Sequence, residues 1–349
     1  MLKIAAWPAF KNKYKNPYNW LLYSHMSQAD VSVREFSPKI LLRENCDILH
    51  FHWPVEMIVD HPNWLIAFIR SLSLILLMKW VKSRGTKIIW SFHNELPHST
   101  LHPQLANWFQ GLFIHQLDGY ISLCRHGQGR AKKLFPTLKK LPCWIIPHGH
   151  YQEIYPNSIS KVDARARLRI PEGFHSLVFL GQIRPYKNVP RLIRIFRELA
   201  PLNWQLSIAG MANSTDLRES LFEAADKDAR VKFFLDFVPD DEIQIYLNAA
   251  DLVVLPFESI LNSGSAILAL SFNRPILVPN IGAMEELQSL VGKEWVALYS
   301  GDFAAEALSQ GLSWAVNTPR SVMANLEALD WGKISKETVS AYEALVRDR

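Results

Sequence analysis

The sequence predicts an α/β protein made of two doubly wound parallel sheets with helices on both faces. Three observations predict it. Short runs of apolar and β-branched residues alternate with helical patterns along the chain. These runs fall into two sets of six, and 349 residues suit two domains of roughly 100–200 residues each. The charge also changes sign near the middle: residues 1–150 hold 18 Lys and Arg against 8 Asp and Glu, and residues 151–349 hold 20 against 25.

The first six runs are Leu2–Trp7, Val31–Phe36, Asp47–His52, Lys87–Phe92, Gly119–Leu123 and Cys143–Pro147, with helical patterns at Pro17–Met26 and Trp64–Arg84. The second six are Ser176–Gly181, Trp204–Gly210, Arg230–Phe234, Asp251–Phe257, Arg274–Pro279 and Glu294–Tyr299. Val189–Leu199, Asp240–Ala249 and Ser265–Phe272 are the helical patterns among them. Pro, Gly, His and Tyr cluster at Pro147–Pro156, just before the polar stretch Asn157–Ser160. That punctuation divides the chain into Rossmann-like domains at 1–150 and 151–332. The last helix, Lys333–Arg349, could pack back on the first domain or stay on the second.

Composition excludes several classes. Residues of the AVILMFWYC set make up 49% of the chain and charged residues 20%, enough to fill two cores, so the chain is not disordered. Three widely spaced cysteines, Cys46, Cys124 and Cys143, argue against a disulfide framework and a cysteine zinc site, and fit a reducing compartment. A strand-like segment precedes the basic stretch Lys11–Lys15, the wrong order for a secretory signal. In the most apolar window, Trp64–Val81, Arg70 and Lys79 leave only Ser71–Met78 uncharged, well short of the about 20 residues of a membrane span. A buried helix, or one lying partly on a membrane surface, fits instead. The basic first half holds eleven of the twelve histidines and eight of the twelve tryptophans. It suits an anionic membrane surface or lipid phosphate, with ordinary solvated charge as the plain alternative. No helix-turn-helix, zinc-finger or ribonucleoprotein motif accompanies the lysines, so nucleic acid is not the expected partner.

Ligands of open parallel sheets bind at the carboxyl ends of the strands, so the residues just after each strand are the informative ones. After Ser176–Leu180 come Gly181, where the backbone can turn, then Arg184 and Lys187. An Arg fork and a Lys point charge there suit phosphate; two solvated cations are the alternative. After Asp251–Leu255 come Glu258, Asn262, Ser263, Gly264 and Ser265, leading into an apolar helix. Asn262 or Ser263 can cap that helix, and Gly264 allows an anion close to its amides; a plainly capped helix is the alternative. Together the two strand ends suit a diphosphate. Neither G-x-G-x-x-G nor a P-loop motif is present.

In order and spacing these residues resemble the second domain of GT-B glycosyltransferases, closest to the family 4-like (group 1) enzymes. The resemblance rests on Gly181…Arg184…Lys187, Leu255-Pro256-Phe257-Glu258 and Asn273-Arg274-Pro275-Ile276-Leu277-Val278, with Asp240–Asp251 as the helix before the middle strand. The first half agrees at Asp47–Trp53, Trp90–Asn94 and Ile146–Gly149. The resemblance implies a GT-B fold, two Rossmann-like domains facing a cleft, and transfer of a sugar from a nucleotide diphosphate to an acceptor hydroxyl. Within the group it points to bacterial enzymes, mannosyltransferases among them, that build exopolysaccharide on a lipid carrier. GDP-mannose is the favoured donor and a UDP-sugar the other. The implied place is the cytoplasm, peripheral on the inner face of the plasma membrane. His93 and Glu258 would act on the donor sugar or as base. Gly181, Arg184, Lys187, Asn262, Ser263, Gly264 and Ser265 would hold the diphosphate with neither metal nor cofactor. Asn16, Tyr18, Asn19, Trp53 and His98 would line the acceptor side. A metal among His50, His52, His93, His98 and His102 is disfavoured, because carboxylate partners are sparse and no H-E-x-x-H spacing occurs. Two features depart from the family: Ala266 stands where a second glutamate is usual, and Lys11–Lys15 with Asn16–Asn19 replace a glycine-rich loop. Ala266 keeps a non-catalytic scaffold in view, and a nucleotide-sugar epimerase shares the fold.

Overall fold

The computed structural model describes residues 1–14, 16–26, 31–94 and 100–347. The first sheet contains β1 (Leu2–Trp7), β2 (Val31–Glu35), β3 (Ile48–Phe51), β4 (Lys87–Phe92), β5 (Gly119–Ser122) and β6 (Cys143–Ile145) in the order β2-β1-β3-β4-β5-β6. The second contains β7 (His175–Leu180), β8 (Trp204–Ala209), β9 (Val231–Phe234), β10 (Leu252–Val254), β11 (Ile276–Pro279) and β12 (Val296–Tyr299) in the order β12-β11-β10-β7-β8-β9. Neighbouring strands are parallel in both. Crossover helices cover both faces of such a sheet, so β3 (Ile-Leu-His-Phe) and β8 (Trp-Gln-Leu-Ser-Ile-Ala) are buried along their whole length. Strand order reverses at β1/β3 in one sheet and at β7/β10 in the other. Those switch points open a crevice at the carboxyl edge.

The chain divides into two compact units, residues 1–149 with 329–349, and residues 150–328. Each has its own sheet. The first unit takes back the chain at Leu329 and with it the helix Trp331–Arg347. The reason is a socket for Trp331. Its indole is fully buried, lies 5.2 Å from the Tyr18 ring, and covers Gly149, where a Cβ would overlap the ring. Tyr342, in the C-terminal half of the helix, hydrogen-bonds His50 of β3 at 2.6 Å.

In the second unit one carboxylate sets the entry of the two central strands. Asp251, just before β10, accepts from Lys161 Nζ (2.7 Å), from Arg165 and from the Ser176 amide of β7 (2.8 Å). Burial would raise its pKa, but Lys161, the Ser176 amide and Arg165 hold the carboxyl below its usual range. Strands fixed at their starts deliver their ends, Leu180 and Leu255, side by side.

The helix Trp64–Ser83 is long and apolar enough to cross a membrane, with a mean hydropathy of 1.7 over its best window. One face packs into the first unit through Ala67, Ser71, Leu74, Ile75, Met78 and Val81, and Lys82 pairs with Asp118 at 3.0 Å. The opposite face exposes Leu65 (57%), Ile69 (53%), Leu76 (57%) and Trp80 (48%), spaced at helical intervals of four and seven residues.

The Trp331 socket predicts a stability effect. Gly149→Ala puts a methyl group into the buried indole, and overpacking of this kind costs about 1–3 kcal/mol. Chemical denaturation checks it. An unchanged midpoint would mean that the helix Trp331–Arg347 is not seated on Gly149.

Candidate active site

The residues expected to bind diphosphate meet at the β7/β10 switch point. β7 ends in Gly181 at φ +133°, in the region open to glycine. A Cβ there would lie 3.1 Å from Ser265 Oγ and 3.3 Å from Lys187 Nζ. So the strand end, the helix start and the lysine ammonium converge on one spot. Lys187 ends a short 3₁₀ turn, Pro185–Lys187, and Asn188 follows in the left-handed conformation (φ 56°). That turn folds the lysine under the site. Only 8% of it is exposed, with Nζ 5.6 Å from the centre of the Phe257 ring. Burial, then the neighbouring Arg184 charge, push its pKa down to about 8. Arg184 is half-buried, and its guanidinium donates to Gln182 Oε1 at 3.1 Å.

The loop after β10 supplies the other wall. Ser263 caps the helix Gly264–Ser271, its Oγ accepting from the Ala266 amide at 3.1 Å. Asn262 is half-buried beside it. The Glu258 amide donates to the Tyr186 carbonyl at 2.8 Å, tying this loop to the Arg184–Lys187 turn, while its carboxylate end is exposed. Ala266 is fully buried in the first helical turn, so no carboxylate is offered from that position. A buried cation, an arginine and a capped helix start thus lie at one point, an arrangement whose chemistry suits an anion.

The first unit builds a different environment at its β1/β3 switch point. His50 and His52 share one face of β3 and its extension, as alternation requires. Helix Tyr18–His25 brings two tyrosines to them, and the end of β4 brings His93. Tyr23 Oη hydrogen-bonds His52 Nε2 (2.6 Å) and His50 Nδ1 (2.9 Å). His52 Nδ1 hydrogen-bonds His93 Nε2 (2.9 Å), and His50 Nε2 hydrogen-bonds Ser91 Oγ (2.9 Å). Trp53 stacks on His93 at 4.5 Å and 26°. The Tyr18 ring meets His93 edge-on at 4.9 Å and His148 at 4.8 Å. Burial pushes His50 down to about 3 and His148 to about 4. It holds His52 and His93 well below the ordinary histidine range, with neighbouring histidines adding to the shift. All four are therefore neutral imidazoles at pH 7.

The acceptor-side expectations divide. Trp53 and Asn16 are half-buried at this edge. Tyr18 and Asn19 are buried inside the unit, contrary to expectation. Asn19 Nδ2 donates to the Pro8 carbonyl (2.6 Å), and the Tyr18 amide donates to Asn16 Oδ1 (3.0 Å). Both contacts hold the loop after β1. His98 lies outside the described residues. His102 bonds the His61 carbonyl at 2.9 Å, away from His50 and His52.

Sequence reasoning missed Tyr23, Tyr342 and Glu35. The Glu35 carboxylate accepts from the amides of Ala9 (3.2 Å), Phe10 (2.9 Å) and Lys11 (3.1 Å). The loop that replaces the glycine-rich one is thus filled by the protein's own anion. A lone Glu closing a strand gave no signal of this. The tyrosines read as the apolar face of a helix.

The histidine cluster predicts an acid limit on stability. Each folded pKa lies below the free value of about 6.5, so the neutral forms stabilise the fold fully above that pH. The contribution is lost as pH falls toward 4 and 3, by up to about 1.4 kcal/mol per pH unit and histidine. Denaturation midpoints should drop between pH 6.5 and 5, before carboxylates titrate. A flat profile there would contradict a buried neutral cluster.

Residues 160–320 match the family model of glycosyl transferases group 1. The chain is 30% identical over 340 residues to the GDP-mannose:glycolipid 4-beta-D-mannosyltransferase of Xanthomonas campestris, covering 97% of this chain and 91% of that protein. A glycosyltransferase from Rickettsia africae superposes with a TM-score of 0.69 at 11% identity, covering 100% of this chain and 99% of that one. Anabaena HepE, solved with UDP and glucose, superposes with a TM-score of 0.68 at 14% identity, covering 99% and 100%. These two give the fold, GT-B; the match along nearly the whole Xanthomonas protein gives the family. The chain is a glycosyltransferase and belongs to the glycosyl transferases of group 1.

Proposed function

We propose that the enzyme transfers mannose from GDP-mannose to a hydroxyl of a lipid-linked saccharide at the inner face of the plasma membrane, in exopolysaccharide assembly. The observation that carries this reading is the 30% identity to the Xanthomonas mannosyltransferase, which runs through both units. GDP-mannose holds its sugar through an α bond and that relative is named for a β product, so the reading includes inversion at the anomeric carbon.

The roles follow from what each site holds. The leaving diphosphate gains negative charge as the anomeric bond breaks. Arg184, Lys187 and the amides at the helix start Ser263–Ser265 meet that charge, in this reading without a metal. Glu258 contacts hydroxyls of the donor sugar. Inversion needs a base toward the acceptor oxygen. His93, neutral at pH 7 and backed by hydrogen bonds, is suited to it. The exposed apolar face of Trp64–Ser83 supports the membrane part. It bears Arg70 and Lys79 and no acidic side chain, and neighbouring helix Pro38–Arg43 adds Ile40, Leu42, Lys39 and Arg43 to the surface. Apolar residues among cations suit an anionic lipid surface.

The test is release of nucleoside diphosphate from a panel of GDP- and UDP-sugars, with and without membrane lipid extract. Release from GDP-mannose that requires the extract, and that falls at least about 100-fold in Arg184→Ala, is expected. Release from a UDP-sugar alone overturns the donor. Binding of GDP-mannose with no release in any extract supports a non-catalytic scaffold.

A further inference from the structure

The apolar face of the helix Trp64–Ser83 continues onto its neighbours. Helices Pro38–Arg43 and Pro103–Ile114 both pack against it. The first adds exposed Ile40 and Leu42, and the second adds exposed Trp108. Trp64 stacks on Phe68 at 5.4 Å and 8°, and Phe68 on Trp108 at 5.3 Å and 28°. An aromatic ridge therefore joins two helices across the surface. At the far end of the long helix, the Arg84 guanidinium lies 5.7 Å from the centre of the exposed Trp80 ring. Single exposed apolar side chains are ordinary; a set continuous over three packed helices marks an interaction surface.

The long helix is neither a core helix nor a span. Only 39% of its most apolar stretch is buried, whereas a core helix is covered on all sides. Its ends are also tied into the first unit. The Ile66 amide donates to Asn63 Oδ1 at 3.2 Å in the first turn, and Lys82 pairs with Asp118 at 3.0 Å in the last. One face stays packed between them, so the helix lies along the surface of its unit.

The charges select the partner. Neither Trp64–Ser83 nor Pro103–Ile114 carries an Asp or Glu. Arg70 and Lys79 are exposed on the long helix, and Lys39 and Arg43 on Pro38–Arg43. A second copy docked through the same face would set these cations against one another. An anionic lipid surface meets them with phosphates. Trp64 and Trp80 stand near the two ends of the helix, about 24 Å apart at 1.5 Å per residue. Indoles favour the headgroup level, and a helix held there at both ends lies in the plane of the bilayer.

We propose that this three-helix face is a lipid-insertion surface: Trp64, Ile69, Leu76 and Trp108 enter the headgroup–acyl boundary of an anionic bilayer, and the cations among them pair with its phosphates. This rests on the membrane part of the reading above and adds how the protein is held. Burial of apolar side chains supplies a hold that salt does not screen, and charge supplies a second one that salt does.

The test is co-flotation of the whole chain with vesicles of phosphatidylglycerol and phosphatidylcholine, in low salt and in about 1 M salt, where the Debye length is roughly 3 Å. Expected are flotation that persists in high salt, a blue shift of tryptophan emission, and quenching by lipids brominated on the acyl chain. Pure phosphatidylcholine should bind more weakly. The double variant Ile69→Glu, Leu76→Glu changes two exposed side chains, so circular dichroism should be unchanged. Its partitioning should fall at least about 100-fold, tenfold for each inserted side chain lost. Flotation that vanishes in high salt, without quenching, overturns insertion and leaves the membrane reading standing. No flotation under any condition overturns both. Equal binding by the double variant overturns the assignment of the face. A dimer that the double variant dissociates, with no vesicle binding, overturns it in favour of a second copy. None of these measurements needs turnover, so failure of the GDP-mannose reading is seen separately.

Discussion

A parallel sheet must return every crossover to the same edge, and that constraint places both candidate sites of this protein. Both sheets reverse their strand order once, at β1/β3 and at β7/β10. At each reversal the adjoining crossovers leave in opposite directions and open the edge. Gly181, Lys187 and Ser265 converge at one such point; His52, with His93 from the adjoining strand β4, gathers at the other. Asp251 and its cations secure the starts of β7 and β10, so the geometry at the strand ends follows from an ion-pair network at their beginnings.

The two edges solve opposite electrostatic problems. The second unit buries a lysine beside an arginine, two like charges that the proposed diphosphate would offset. The first unit buries four histidines and keeps them uncharged, so its polar groups depend on one another for hydrogen bonds. The proposed transfer would use both: one edge for the negative charge of the leaving diphosphate, the other for the acceptor proton.

Much of this was legible in the sequence. All twelve strands fall on the short runs read from the sequence; central strands such as β3 and β8 are covered on both faces and have no solvent side to break the run. That Gly181, Lys187 and Ser265 would be neighbours was readable, because residues at the ends of adjacent parallel strands lie close together. Other features depended on contacts between distant segments. Tyr18 and Asn19 look like an exposed polar loop, yet the carbonyl of Pro8 and the ring of Trp331 draw them inside. The periodicity of Trp331–Arg347 shows that it has an apolar face but not which unit covers it; Gly149, lacking a side chain, supplies the seat. Tyr23 and Tyr342 are over 300 residues apart, and no local pattern pairs their hydroxyls through His50. Glu35 is one acid among many until the amides of Ala9, Phe10 and Lys11 turn toward it.

The configuration of the product separates inversion from retention most directly. With GDP-mannose and a lipid-linked saccharide acceptor, the anomeric signal of the transferred mannose can be read by NMR. A β linkage is predicted, as inversion by a neutral histidine base requires. An α linkage would mean retention, and would contradict the division of labour between the diphosphate site and the histidine cluster.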